Sequence, residues 1–380
     1  MSIIARRELM KGTLATIAGA GVLSASSTIV VSGTKPVQAN GKRKNRIKLA
    51  EMDNAQLRIL FSQMGISHVI TGARGLRSGG SVDEFATALQ KQKDSFDQLG
   101  LKIAGFEGPP INHERIKRGG EGRDQDIEDF NNAIIAMSQV GLDMICYNWM
   151  VNEGWTRTNT SVLERGGALT SEFDLEEYNN RSAANRGYGM FGRGGRSQGI
   201  TEEQVWANLV YFLKAVIPVA DKYKVKMALH PDDPPVPMLG NNARILTSAA
   251  NFRKVMDMVP SPMNGITFCQ ANFMLMGEDV YALAEEWCKA KKIFFVHFRD
   301  VAGTKESFRE TFHDNGPHDM ARLMRIYSEN GFDGPMRPDH APAMGSEVAS
   351  GRSSGYGTVG KVFAFGYMIG LCQAQGLPYE

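Results

Sequence analysis

Apolar positions along this chain follow two rhythms in alternation. Short, largely apolar runs with extended-strand character are separated by longer stretches in which apolar residues recur at helical spacing. The short runs are RIKLAEM (Arg46 to Met52), SHVITGA (Ser67 to Ala73), KIAGFEG (Lys102 to Gly108) and DMICYNWM (Asp143 to Met150). They continue with VKMALHP (Val225 to Pro231), GITFCQANF (Gly265 to Phe273), IFFVHFRDV (Ile293 to Val301) and GPMRPDHAP (Gly334 to Pro342), the last interrupted by Pro338. Between them lie segments with helix signals. Ser81 caps a helix that closes on Gly100, and a second ends on Gly141. Thr201 opens a third with acids in its first turn, and Pro218 is expected to kink it. EDVYALAEEWCKAKK, HDMARLMRIYSENG and TVGKVFAFGYMIGLCQAQG supply later helices. Eight alternating strand and helix units predict an α/β fold, a single (β/α)8 TIM barrel. Residues from Met150 to Gly199 are Gly-, Arg- and Asn-rich and read as a long irregular insertion after the fourth strand. Such a loop is expected to cover an active site or contact another subunit.

Composition narrows the class without changing this picture. The 380 residues are 42% hydrophobic and 22% charged, as in ordinary globular proteins. Lys plus Arg number 43 against 41 Asp plus Glu, a balance that argues against a nucleic-acid partner. The N-terminus stands apart. Arg6 and Arg7 precede a weakly apolar stretch from Thr13 to Val31, and VQAN offers a small-x-small cleavage site at Ala39. This order of features reads as a twin-arginine export signal over 1–39, followed by one catalytic barrel domain over 40–380 in the periplasm. Ser, Thr and Gly interrupt the apolar stretch, so no stable membrane span is expected once the signal is removed. Cys146, Cys269, Cys288 and Cys372 show no spacing typical of a disulfide framework or zinc knuckle.

The chemistry gathers at strand ends. Active sites of this fold lie at the C-terminal ends of the strands. The fifth strand ends on His230, the sixth carries Cys269, the seventh ends near His297, and the eighth reaches Asp339 and His340. Each alone has a plain structural reading: a polar strand end, a small buried hydrophobe, a core histidine, a turn residue. Together they place imidazole, thiolate and carboxylate donors on four consecutive strands at one rim, a set suited to Mn, Fe, Co or Zn. Directly after His230 comes PDDPP, whose prolines forbid helix and sheet pairing and stiffen the turn.

These residues carry a resemblance. ICYNWM…WTRT, MALHPDDPP, FVHFRDV, GFDGPMRPDHAP and GYGTVGKVFAFGYMIGL resemble the mannonate dehydratase family, over roughly Lys102 to Leu371. The resemblance implies a xylose-isomerase-like TIM barrel with one divalent metal, Mn or Fe ahead of Zn or Co. It implies dehydration of D-mannonate to 2-keto-3-deoxy-D-gluconate. By the same resemblance the metal ligands fall on His230, Cys269, His297 and Asp339, and the acid/base residues on His340 and Tyr356. The chain departs from the family in its first two strands, which read KLAEMDNAQ and VITGARGL where the family carries an aromatic-rich motif and a strand-end histidine. Those strand ends shape the pocket around the far end of the sugar.

Elementary chemistry asks for the same parts. Losing water from a sugar acid needs a polarised carboxylate, a base for the C2 proton and an acid for the departing hydroxyl. Arg157 and Arg299 are candidates to pair with the substrate carboxylate or to act as structural ion-pair partners. Asn148 and Asp233 are candidates to orient hydroxyls or ligands. His113 reads as loop, and His313 and His318 as possible supports behind the ligands. Alternatives remain open: a metal-dependent lyase, epimerase or isomerase acting on another uronic acid or keto-sugar, or a non-catalytic carbohydrate-binding barrel. The expected partner is a small-molecule sugar acid, and assembly into a homo-oligomer is expected from barrels of this kind.

Overall fold

In the computed structural model, residues 45–151, 154–181, 199–349 and 355–380 are described, and they lie in one compact unit, Gly33–Glu380. The twin-arginine segment and its cleavage site lie outside the described residues. Eight parallel strands close into a barrel: β1 (Lys48–Met52), β2 (His68–Thr71), β3 (Lys102–Glu107), β4 (Met144–Asn148), β5 (Lys226–His230), β6 (Asn264–Cys269), β7 (Ile293–His297) and β8 (Pro335–Arg337). They neighbour one another in chain order, and β8 pairs with β1 through Lys48–Pro335 and Leu49–Met336. All eight predicted strands are present, and the irregular last one is a three-residue strand that stops before Pro338.

The long helices form where the caps announced them. Ser81 and Thr201 each make a reciprocal capping box, with Glu84 and Gln204, at the starts of helices Val82–Asp97 and Glu202–Tyr223. The second runs unbroken through Pro218. Among the helices not anticipated, the two longest are Ala55–Gln63 and Ala249–Met258. They bury Leu57, Phe61, Phe252 and Val255 against the barrel wall. Each is short, nine and ten residues, so packing of its buried face against the barrel supplies most of its stability.

The barrel has two packed zones. The large one lies between strands and helices. The small one, including Ala50, Ile70, Cys146, Ala228 and Phe295, fills the barrel interior. Of the segment expected to be irregular after β4, residues 152–153 and 182–198 lie outside the described residues, and residues 154–181 contain regular structure. Strands Asn159–Leu163 and Leu169–Asp174 form an antiparallel pair, and Leu169–Asp174 also pairs with Ser307–Glu310, which pairs with Val301–Gly303. This four-stranded sheet joins the loops that follow β4 and β7. Among the described residues, no helix is long and apolar enough to cross a membrane.

Candidate active site

The strand pleat decides which residues meet at the barrel mouth. Successive side chains alternate, so His230 shares a face with Ala228, and His297 with Phe295, both residues of the interior zone. Cys269 and His297 are direct cross-strand partners, as are Asn148 and His230. One ligand atom from each of His230, Cys269 and His297 lies within 4.8 Å of the others. Asp339 joins them: its Oδ2 is 3.6 Å from His297 Nδ1 and 3.9 Å from Cys269 Sγ. Sequence spacing placed these four at one rim, and the structure brings them together.

His230 is held from behind. Its Nδ1 donates to the Pro231 carbonyl at 2.7 Å, so Nε2 carries the lone pair and faces His297 Nδ1 at 3.2 Å. Burial pushes the His230 imidazole below its ordinary value, which favours the neutral, ligating form. The PDDPP turn is pinned by Asp232, whose Oδ2 accepts from Leu246 N at 2.8 Å while its own N–H donates to Leu246 O at 3.1 Å. Asp232 also faces Arg244 at 3.6 Å.

Asp339 and His340 are neighbours that both reach the mouth. Asp339 has a φ of +52°, in the left-handed region that a non-glycine residue enters only at a cost of about 1–3 kcal/mol. That bend breaks the usual alternation. Asp339 turns toward His297, while His340 places Nε2 3.1 Å from the Tyr356 hydroxyl. Backbone hydrogen bonds in both directions between Ala341 and Gly355 clamp Tyr356 beside His340. Gly355 has a φ of +109°, a conformation natural to glycine. His340 Nδ1 lies 3.1 Å from Glu310 Oε1, so the carboxylate fixes the proton on Nδ1 and turns the Nε2 lone pair to Tyr356. Burial lowers the His340 imidazole and raises the Tyr356 phenol, leaving one neutral and the other protonated. The Trp155 ring lies 5.0 Å from His340 and 6.1 Å from Tyr356, walling the pair from one side.

Arg157 and Arg299 sit below this surface, 0% and 1% exposed. Arg157 binds Asp233 Oδ1 at 2.6 Å and Glu310 Oε1 at 2.5 Å. Arg299 binds both Glu310 oxygens at 2.7 and 2.8 Å, Asp233 Oδ2 at 2.7 Å and Asp339 Oδ2 at 2.6 Å. Of the two roles expected for these arginines, ion pairing is the one this arrangement displays. Burial alone would raise the Asp233 carboxyl, but the Arg157 and Arg299 guanidiniums outweigh it and hold it below the usual range. Asn148 Oδ1 accepts from Lys117 Nζ at 3.1 Å and from Met150 N at 3.2 Å, shaping the chain's exit from β4.

The remaining histidines also have partners. His113 lies in the loop before helix Glu114–Arg118, as read, but is buried there and meets the Asn148 carbonyl at 3.0 Å. His313 meets the Pro338 carbonyl at 2.7 Å, steadying the turn that carries Asp339. His318 pairs with Asp300 at 2.6 Å. Five residues of the site escaped sequence reading: Glu51, Glu107, Glu310, Arg337 and Lys361. Glu107 and Arg337 end strands, and the strand-end rule would have found them. Glu51 binds Lys361 at 2.8 Å and Arg337 at 3.4 Å, so the divergent first strand closes a buried ion-pair network. Glu310 lies on the added sheet, where nothing in its local sequence marks it.

The donor set fits a divalent cation. Among the described residues, the linked ion pairs at the mouth join five carboxylates (Glu51, Glu107, Asp233, Glu310, Asp339) to four cations (Arg157, Arg299, Arg337, Lys361). A Cys269 thiolate would add a second uncompensated negative charge, which a divalent ion offsets. A second cluster, Glu107, Cys146 and His297, has suitable donor atoms but not a suitable field. Arg337 points Nε at His297 Nε2, 3.2 Å away, and Nη2 at Glu107 Oε1, 2.8 Å away, so a cation already sits there. The cluster of His230, Cys269, His297 and Asp339 is the better cradle.

Known proteins share this architecture and sequence. The profile of the family described as D-mannonate dehydratase (UxuA) matches residues 50–186 and 195–377. A mannonate dehydratase of Enterococcus faecalis is 33% identical over 310 residues, covering 75% of this chain and 85% of that protein. The crystal structure of mannonate dehydratase from Streptococcus suis serotype 2 superposes with a TM-score of 0.76 at 27% identity, covering 88% of this chain and 97% of that one. A xylose isomerase domain protein from Planctomyces limnophilus, 14% identical with a TM-score of 0.51, shares the fold across 87% of this chain and 98% of its own.

Proposed function

This chain belongs to the D-mannonate dehydratase family, and from that premise we propose that it removes water from D-mannonate to give 2-keto-3-deoxy-D-gluconate. The observation that carries the reading is the meeting of a four-donor cluster with the Tyr356–His340–Glu310 chain at one barrel mouth. His230, Cys269, His297 and Asp339 would hold one divalent metal, with Mn or Fe preferred by the mixed nitrogen, sulfur and oxygen donors. Such an ion supplies Lewis acidity that stabilises charge growing on the substrate carboxylate as the C2 proton leaves.

The chain's own residues supply the proton transfers. Glu310 keeps the His340 proton on Nδ1, so Nε2 is free to take the C2 proton as base. Tyr356, kept protonated by burial, donates its phenolic proton to the departing C3 hydroxyl. Elimination then leaves an enol that tautomerises to the 2-keto acid. Arg157, Arg299 and Asp233 act together by fixing Glu310 and Asp339, and the guanidiniums add positive potential beneath the substrate carboxylate. Asn148 shapes the rim on the β4 side.

The twin arginines at Arg6 and Arg7 support an exported, periplasmic enzyme, and assembly into a homo-oligomer belongs to the same reading. Cell fractionation with N-terminal sequencing tests export, and light scattering tests assembly. The deciding experiment for function is incubation of the Mn2+-loaded protein with D-mannonate, following the 2-keto-3-deoxy acid. Metal-dependent product supports the reading. Full metal occupancy without product would refute mannonate as substrate.

A further inference from the structure

His297 faces two ways. Its Nδ1 looks into the donor cluster, toward His230 Nε2 at 3.2 Å and Asp339 Oδ2 at 3.6 Å. Its Nε2 looks the other way, where it accepts from Arg337 Nε–H at 3.2 Å and lies 3.6 Å from Glu107 Oε2. An imidazole that ligates a metal through Nδ1 must carry its proton on Nε2. Arginine is a donor only and cannot receive that proton's hydrogen bond. Glu107 can. Its Oε1 is engaged by Arg337 Nη2 at 2.8 Å, and its buried Oε2 has no hydrogen-bond partner among the described residues.

We propose that Glu107, at the end of β3, is a positioning residue that accepts the His297 Nε2–H and thereby presents the Nδ1 lone pair to the metal. The inference rests on the reading of His297 as a ligand. Three features support it independently of that reading. Glu107 Oε2 is a buried acceptor without a hydrogen-bond partner among the described residues, and its nearest ring nitrogen is His297 Nε2 at 3.6 Å. Arg337 holds the other oxygen and fixes the carboxylate's orientation. Phe295 packs edge-on against the imidazole with centroids 4.6 Å apart and keeps the ring from turning to offer a different nitrogen. A carboxylate behind a ligating histidine typically strengthens metal binding by about 10–100-fold.

The test reads metal affinity and tautomer, not turnover, so its failure would leave the dehydratase reading intact. Mn2+ dissociation constants would be measured by chelator competition for the wild type, Glu107→Gln and Glu107→Asp. The aspartate keeps a charge beside Arg337 but withdraws the oxygen from His297. Both variants are expected to bind Mn2+ about 10–100-fold more weakly, with thermal midpoints of the metal-free proteins near the wild type. If Glu107→Gln lowers the metal-free midpoint, Glu107→Asp decides. In the zinc-loaded, 15N-histidine-labelled wild type, His297 is expected as the Nε2–H tautomer. Wild-type affinity in Glu107→Asp, or an Nδ1–H tautomer for His297 in the zinc-loaded protein, would overturn the proposal.

Discussion

Asp339 and His340 are adjacent in sequence yet face the same mouth, because the +52° φ of Asp339 replaces strand alternation with a turn. One side chain thereby joins the donor cluster while the next reaches Tyr356. If the two divide labour in this way, substitutions should separate binding from chemistry. His340→Asn and Tyr356→Phe are each expected to lower kcat by about 10²–10⁴-fold while leaving Mn2+ affinity within about twofold. Steady-state kinetics beside metal titration checks this. A parallel loss of metal binding would show that the two functions are not separable.

Metal removal should be felt in stability as well as activity. A ligand that binds only the folded state at 100 times its dissociation constant adds about 2.7 kcal/mol. Chelation is therefore expected to lower the thermal midpoint, and restored Mn2+ to raise it again. Cys269→Ser should lose most of this response, since a hydroxyl replaces the thiolate donor. An unchanged midpoint across Mn2+ concentrations would argue against a site at the cluster.

The buried arginines make opposite predictions for their two roles. Arg157→Ala leaves Asp233 and Glu310 with a weakened counter-charge in a region closed to solvent. Breaking a buried pair from one side costs about 3–5 kcal/mol, so urea unfolding should show a loss of that order. A residue whose main task is to meet the substrate would instead raise KM with little change in unfolding.

Buried neutral histidines set an acid limit. Burial pushes both His68 and His313 down to about 4, against an ordinary value of 6.5. Between those values the unfolded chain binds protons that the folded chain does not. Stability is then full above pH 6.5, falls as pH drops toward 4, and levels off below it as far as these two groups are concerned. Urea midpoints of the metal-free protein at pH 7, 5.5 and 4.5 should trace this decline, and His68→Gln should flatten it. A wild-type midpoint that does not change from pH 7 to 4.5 would contradict it.

The strands were legible because buried parallel strands are short apolar runs, and eight of them alternating with capped helices admit few folds. Ser81 and Thr201 marked helix starts because capping is local chemistry, complete within four residues. His230, Cys269 and His297 were legible for a related reason: a polar residue that ends an apolar strand of a barrel must lie at the rim. Helices Ala55–Gln63 and Ala249–Met258 were not, since their stability comes from what they pack against. Within the Met150 to Gly199 segment, read from sequence as irregular, the described strands Asn159–Leu163 and Leu169–Asp174 pair with each other, and the latter also with the distant Ser307–Glu310, while 182–198 lie outside the described residues.

By itself, then, the sequence determined the barrel, its rim and the donor types on four consecutive strands, because each depends on periodicity or on neighbours in the chain. Tertiary structure decided how those donors are oriented and balanced. Glu310 reaches His340 from a strand of a separate sheet, Glu107 stands behind His297 from four strands earlier in the chain, and Glu51 meets Lys361 across the barrel's closure. Such contacts are set by the closing of the barrel and the burial of charge, which act between residues far apart in sequence and leave no local pattern to read.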